Sequence, residues 1–208
     1  MKQLNKYINE RLHINKDIES HYYHPKTRDE LKELVDKLIK ERGNDTDLND
    51  IDTSEITDMS ELFFYSEFNG DISNWDVSNV KFMMYMFSNS KFTGENNDIS
   101  NWDVSNVINM VNMFYNSKFD GDISKWNVSN VKYMSGMFWD SSFTGKNGDI
   151  SNWDVSNVEY MSFMFKHSKF NGDISKWNVN NVKDMGEIFN ESPVEKNPPK
   201  WYKEYEAN

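Results

Sequence analysis

Large apolar residues recur at fixed places in a polar background along most of this chain. The run Asp71-Ile72-Ser73-Asn74-Trp75-Asp76-Val77-Ser78-Asn79-Val80 is followed by Met83, Met86 and Phe87, and the same order returns further along. Tryptophan marks the beat at Trp75, Trp102, Trp126, Trp153 and Trp177, at intervals of 27, 24, 27 and 24 residues. A beat of about 20 to 50 residues signals a repeat architecture, in which one unit cannot bury its apolar face alone and leans on its neighbours. The expected architecture is a solenoid.

Within one unit, Ile72, Trp75 and Val77 read as a short extended stretch. Ser78 and Asn79 are good helix N-caps. Val80, Met83, Met86 and Phe87 then share one helical face. Asn89 and Ser90 end the run, and Phe92 turns inward. Each unit is predicted to be strand, short helix and turn, with a helix too short to be stable outside the stack. Phe63, Phe87, Phe114, Phe138, Phe165 and Phe189 form one core column. Met59, Met83, Met110, Met134, Met161 and Met185 form another, as flexible gap-fillers rather than metal or haem ligands.

Six units begin at Asp47, Asp71, Asp98, Asp122, Asp149 and Asp173. The first carries Ile51 in place of Trp, and the last carries Ser192-Pro193-Val194 in place of Ser-Lys-Phe. Degenerate ends are expected of terminal repeats. The solenoid is assigned to residues 47–194 and a C-terminal cap to 195–208, where Trp201 is expected to cover the last Phe and Met. The long intervals come from inserts at residues 93–97 and 144–148, which pair the units into a 51-residue period. Both inserts should bulge from the same edge.

Residues 1–46 form the predicted N-terminal helical cap. Thr27 and Glu30 make a capping-box pattern, and Leu31, Leu34, Val35, Leu38 and Ile39 fall on one face before Gly43. A helix is predicted over about residues 28–42. Leu4, Tyr7, Ile8 and Leu12 suggest a shorter helix before it. His21 and His24 have the spacing of metal ligands, but only His13 lies nearby to complete a set. No metal is expected.

Charge narrows the partner. The formal net charge is −11. Residues 1–46 hold ten basic and nine acidic residues, whereas the rest hold thirteen and twenty-five. The repeats carry the acidity, which repels nucleic-acid phosphates and suits a basic protein partner. The absence of cysteine removes disulfides, thiol catalysis and Cys-ligated zinc. No apolar run reaches signal-peptide or membrane-span length, so the chain as written is expected to be cytoplasmic.

Catalytic patterns are lacking. His167 is the one histidine of the array, and no Gly-rich phosphate loop occurs. The repeated Asp71, Asp98, Asp122, Asp149 and Asp173 could suggest calcium, which needs about six to eight oxygens around one ion. One Asp per repeat fits a side chain that satisfies backbone amides at a turn. No cofactor and no enzymatic activity are expected.

Candidate binding residues stand where the repeats differ. Two positions after the cap valine are Phe82, Asn109, Tyr133, Tyr160 and Asp184. Directly after the Met-Phe pair are Ser88, Tyr115, Trp139, Lys166 and Asn190. Tyr85 and Phe163 add two more rings. Large rings at such positions suit an interface. The candidate site is therefore Phe82, Tyr85, Tyr115, Tyr133, Trp139, Tyr160 and Phe163.

The run G-D-I-S-x-W-x-V-S-N-V followed by Met-x-x-Met-Phe, between Gly70 and Phe189, closely resembles the BspA-like leucine-rich repeat family. That family is also described as the mycoplasma-type surface-protein repeat, or DUF285 group. The resemblance implies a right-handed β/α leucine-rich-repeat-like solenoid that binds rather than catalyses. Family members include surface lipoproteins, adhesins and phage- or mobile-element-encoded proteins. This chain shows no lipobox cysteine or wall anchor, which points to the intracellular, phage-encoded type. The expected function is non-enzymatic protein binding by a monomer, without nucleic acid or membrane. One alternative is an inhibitor that blocks a host nucleic-acid-binding defence protein by acidic mimicry. Another is a surface or virion adhesin for glycans or host proteins.

Overall fold

The structure is a computed structural model that describes residues 22–95 and 97–207. The helix proposed around Leu4 to Leu12, together with His13 and His21, lies outside the described residues. Helix α1 spans Arg28–Arg42, where the apolar period places it. Thr27 Oγ1 accepts from the Glu30 N–H at 3.2 Å, and Glu30 Oε2 reaches back to the Lys26 N–H at 2.7 Å. Gly43, at φ 95°, closes the helix by donating its N–H to the Ile39 carbonyl at 2.8 Å. Leu31, Val35 and Leu38 are buried and join one core with the repeats. Arg28 Nε donates to the Ser60 carbonyl at 2.8 Å, and Arg42 forks onto Asp50 at 2.9 and 3.2 Å. These contacts hold α1 against the first repeat.

The repeats differ from the predicted strand, short helix and turn. Among the described residues between Asn44 and Ser192 there is no helix and no strand longer than a single bridge. The reason lies in where the backbone N–H groups go. Met83, Tyr85, Phe87 and Asn89 donate to Asn109, Val111, Met113 and Tyr115 of the next repeat at 2.8–3.0 Å. The residues between them turn inward, with Met86, Ser88 and Ser90 donating to the carbonyls of Met83, Tyr85 and Phe87 at 3.1–3.4 Å. An α-helix would direct every such N–H four residues back within its own segment. Sending alternate donors across to a neighbour requires the backbone to reverse twice per repeat.

Those reversals form two columns of positive φ. One is Glu61, Tyr85, Asn112, Gly136, Phe163 and Glu187, and the other is Tyr65, Asn89, Asn116, Asp140, His167 and Glu191. A left-handed non-glycine residue costs about 1–2 kcal/mol. The cross-repeat hydrogen bonds hold it in place.

Parallel single bridges link Asp58, Phe82, Asn109, Tyr133, Tyr160 and Asp184 in order. The predicted Ser-Asn caps also serve this stacking, since there is no helix for them to cap. Asn79, Asn106, Asn130, Asn157 and Asn181 each donate a side-chain amide to a serine carbonyl of the preceding repeat, at 2.6–2.8 Å. Tryptophan does the same inside the core. Trp75, Trp102, Trp126, Trp153 and Trp177 bury their rings and donate Nε1–H to Leu48, Ile72, Ile99, Ile123 and Ile150 carbonyls, at 2.9–3.3 Å.

The phenylalanines stack in two files. Centroids from Phe63 through Phe165 lie 5.4–5.6 Å apart, nearly parallel, and the step to Phe189 is 6.1 Å. Phe68, Phe92, Phe119, Phe143 and Phe170 stack alongside at 5.9–6.5 Å.

The far end closes with a 3-10 turn, Pro193–Lys196, and helix α2, Lys200–Glu206. Val194 is buried at the place of the missing Phe. Trp201 does more than cover the last ring. Its Nε1–H donates to the Ile174 carbonyl at 3.1 Å, supplying the next rung of the tryptophan series, and it lies 24 residues after Trp177. Both inserts sit in equivalent places, on the linkers at Asn69 and Asp120.

Two predictions follow from this packing. Gly136 shares a column with residues that carry a Cβ, but a Cβ there would collide with Asn112 Oδ1. Gly136→Ala should lower unfolding stability by about 1–2 kcal/mol, and Asn112→Ala in the same chain should recover part of it in urea titrations. Tyr202, buried and beside Glu206, has its hydroxyl pKa pushed up from the ordinary 10 to about 12, chiefly by burial. The folded state then holds this proton more tightly than the unfolded state. Stability is therefore full below pH 10 and falls as pH rises toward 12. Tyr202→Phe should remove that part of the alkaline slope.

Candidate interaction surface

The seven candidate residues occupy three columns of the stack, and the structure joins some of them. Directly after the Met-Phe pair come Phe64, Tyr115, Trp139 and Lys166. The Trp139 ring lies 5.1 Å from Tyr115, edge-on, and 5.5 Å from Phe163, stacked. Lys166 Nζ sits 5.2 Å from the Phe163 ring and 5.6 Å from Trp139, and pairs with Glu187 at 2.5 Å. A cation over ring faces is attracted by their quadrupoles. Tyr115, Trp139, Phe163 and Lys166 thus form one half-buried patch across three repeats. The Trp139 indole N–H is enclosed there without a partner.

Tyr133 and Tyr160 form a second group on the bridge column, stacked 5.6 Å apart. Lys183 Nζ lies 5.8 Å from the Tyr160 ring and bonds Glu159 at 2.5 Å, and Lys132 approaches Glu159 at 3.7 Å. Phe82 belongs to the same column, 39 % exposed, but Asn109 separates it from the tyrosines. Tyr85 is drawn to a third group, 6.2 Å from Phe64, which packs edge-on at 4.5 Å against Tyr65.

Phe64 and Tyr65 are exposed rings that the sequence reading passed over. Phe64 stands five residues after Met59, as Trp139 stands five after Met134, so the spacing carried the signal. Tyr65 could be found only from the left-handed column, which the pattern of apolar residues does not show. Tyr85 and Phe163 belong to the other left-handed column, at φ 56° and 59°. They project from turns where a helix face was expected.

The acidic side is built from turns. Asp71, Asp98, Asp122, Asp149 and Asp173 each accept the N–H two residues on through Oδ1, at 2.8–2.9 Å. Asp76, Asp103 and Asp154 repeat this at 3.0–3.1 Å. Hydrogen bonds from Ser100, Ser105 and Ser156 hold the Asp98, Asp103 and Asp154 carboxyls below the ordinary carboxylate range. Each Oδ1 is taken up by its own turn. Among the described residues no three His, Asp or Glu side chains converge on a point that could hold a metal. His167 lies between Asp140 at 3.0 Å and Glu191 at 3.7 Å, on opposite ring nitrogens.

The chain matches the family described as "Mycoplasma protein of unknown function, DUF285" over residues 30–144 and again over residues 90–201. It belongs to the DUF285 family. The DUF285 match reaches from inside α1 to Trp201, so it includes the tryptophan that supplies the final rung. Searches of curated proteins and of solved structures returned no match. Among the described residues of this DUF285 chain, no helix is long and apolar enough to cross a membrane.

The aspartate turns generate an acid-side prediction. A carboxyl whose folded pKa is lowered stabilises the fold above its unfolded pKa, and that stability is lost as pH falls through the folded value. Stability should therefore fall below about pH 4. Asp98→Asn, Asp103→Asn and Asp154→Asn together should flatten the decline, read as urea midpoints between pH 7 and pH 3.

Proposed function

We propose that this DUF285 chain is a non-enzymatic protein-binding module whose stacked repeats form a right-handed leucine-rich-repeat-like solenoid. In this reading α1 caps one end and the chain acts as a cytoplasmic monomer of phage or mobile-element type. Register supports the solenoid, because successive repeats bridge in parallel with rings in file. The observation that carries the binding role is the patch of Tyr115, Trp139, Phe163 and Lys166. Its rings stand at positions that vary between repeats while Trp, Met and Phe recur beneath them. Aromatic rings bring contact area at low conformational cost, which suits them to anchor an interface. The acidity of the repeats, carried in part by the aspartate turns, would steer a basic partner.

A second reading is favoured by the regular spacing of those carboxylates, one row per turn type along the stack. Such rows could imitate phosphates and occupy a basic nucleic-acid channel of a host defence protein.

An affinity capture from native host lysate tests both readings, using the full chain, Tyr115→Ala, Trp139→Ala and, as an exposed control, Tyr205→Ala. The expected result is a partner retained by the wild type and the control and lost from the two patch variants, with all four chains equally folded by circular dichroism. Unchanged recovery with Tyr115→Ala and Trp139→Ala would show that the patch is not the binding face. Release of a nucleic-acid-binding partner by high salt would select the second reading. Retention on host surfaces or glycans alone would select an adhesin.

A further inference from the structure

The linkers that return the chain to each tryptophan alternate in length. Phe63 to Trp75, Phe114 to Trp126 and Phe165 to Trp177 take 12 residues, whereas Phe87 to Trp102 and Phe138 to Trp153 take 15. Each long linker folds back onto the short one before it. Thr93 N–H and Oγ1 donate to Asn69 Oδ1 at 2.9 and 3.2 Å, and Asn97 Nδ2 donates to the Asn69 carbonyl at 3.2 Å. Thr144 donates likewise to Asp120 Oδ1 at 2.7 and 2.8 Å, and Asn147 Nδ2 to the Asp120 carbonyl at 2.6 Å. Gly94 and Gly145 permit the turn, at φ 79° and 74°.

Asn171 is the third residue of this kind. Its N–H donates to the Thr144 carbonyl at 3.2 Å, as the Asp120 N–H donates to Thr93 at 3.0 Å. The alternation then calls for a long linker after Phe189, but the chain takes only 12 residues to Trp201. Trp201 still completes its rung on Ile174, so the core side is closed. Outside it, a cleft of about 460 Å³ is left between residues 171–175 and Pro193, Val194 and residues 197–200. Among the described residues, no hydrogen bond reaches Asn171 Oδ1 or its carbonyl, the two acceptors that the inserts fill at Asn69 and Asp120.

We propose that this cleft is a docking site for a peptide turn of a partner protein, a Thr-Gly pair followed within four residues by Asn. The molecule fills the same socket with such a turn at its two internal copies, and the third lacks its own. The partner's threonine N–H and hydroxyl would donate to Asn171 Oδ1, and its asparagine amide to the Asn171 carbonyl. None of the aromatic patch takes part, so this site stands or falls apart from the binding face proposed above.

The acetylated hexapeptide with the sequence of residues 93–98, titrated into the ¹⁵N-labelled full chain, tests this. Saturable shifts are expected at residues 171–175 and 197–200. Asn171→Leu, or valine for threonine in the peptide, should weaken binding about tenfold, while Trp139→Ala should leave it unchanged. A chain in which the sequence of residues 93–98 replaces Glu195-Lys196-Asn197 restores the 15-residue linker. It should fill its own cleft, bind no peptide and melt at a higher temperature. Absence of saturable shifts, shifts located elsewhere, equal binding by the valine peptide, or binding retained by the filled chain would each overturn the proposal.

Discussion

Every second backbone N–H of the Met-Phe run belongs to the neighbouring repeat, and the rest of the structure depends on this division of donors. Burying a peptide group without a partner costs more than a formed hydrogen bond gains. A run that sends half its donors outward can exist only where another run lies alongside to receive them. That requirement sets the register, and the register places Trp on carbonyl, Asn on carbonyl and Phe on Phe from one repeat to the next. The core tryptophan indoles and the Asn79-type amides extend the same logic to side chains, since each of them is answered one repeat away. The unit of stability is therefore the contact between repeats, and the ends need special closure.

Each end supplies that closure differently. At the start, α1 lays three apolar side chains on the core, and Arg28 and Arg42 tie it down by hydrogen bonds. At the finish, a helix of seven residues carries the tryptophan of an absent repeat into its usual place. The surface then inherits a regular grid on which the variable residues are displayed. Tyr115, Trp139 and Phe163 meet because their columns lie next to each other, although 24 residues separate each from the next. The same grid keeps the carboxylates apart, each committed to its own turn, which suits an extended acidic field better than a concentrated ion site.

Much of this was legible in the sequence. The tryptophan intervals, the Met and Phe columns, the degenerate ends and the limits of α1 all follow from burial, which acts directly on side-chain type. The aspartates were legible as turn residues for a similar reason, because a short carboxylate accepts a local N–H. The conformation of the Met-Phe run was not legible. Val80, Met83, Met86 and Phe87 fit a helix face, yet the chain passes through them by alternating turns. Tyr85 and Phe163 carry no mark of a left-handed backbone, whereas Asn89, Asn112, Asn116, Gly136 and Asp140 have a local affinity for it.

The sequence by itself determined which apolar residues are buried and the beat at which the units recur, because those depend on apolar content and its spacing. Tertiary structure decided the backbone path of each unit and which exposed rings meet. Hydrogen bonds between segments about 25 residues apart settle both, and a segment's own composition does not reveal whether its N–H groups will find partners within it or across the stack.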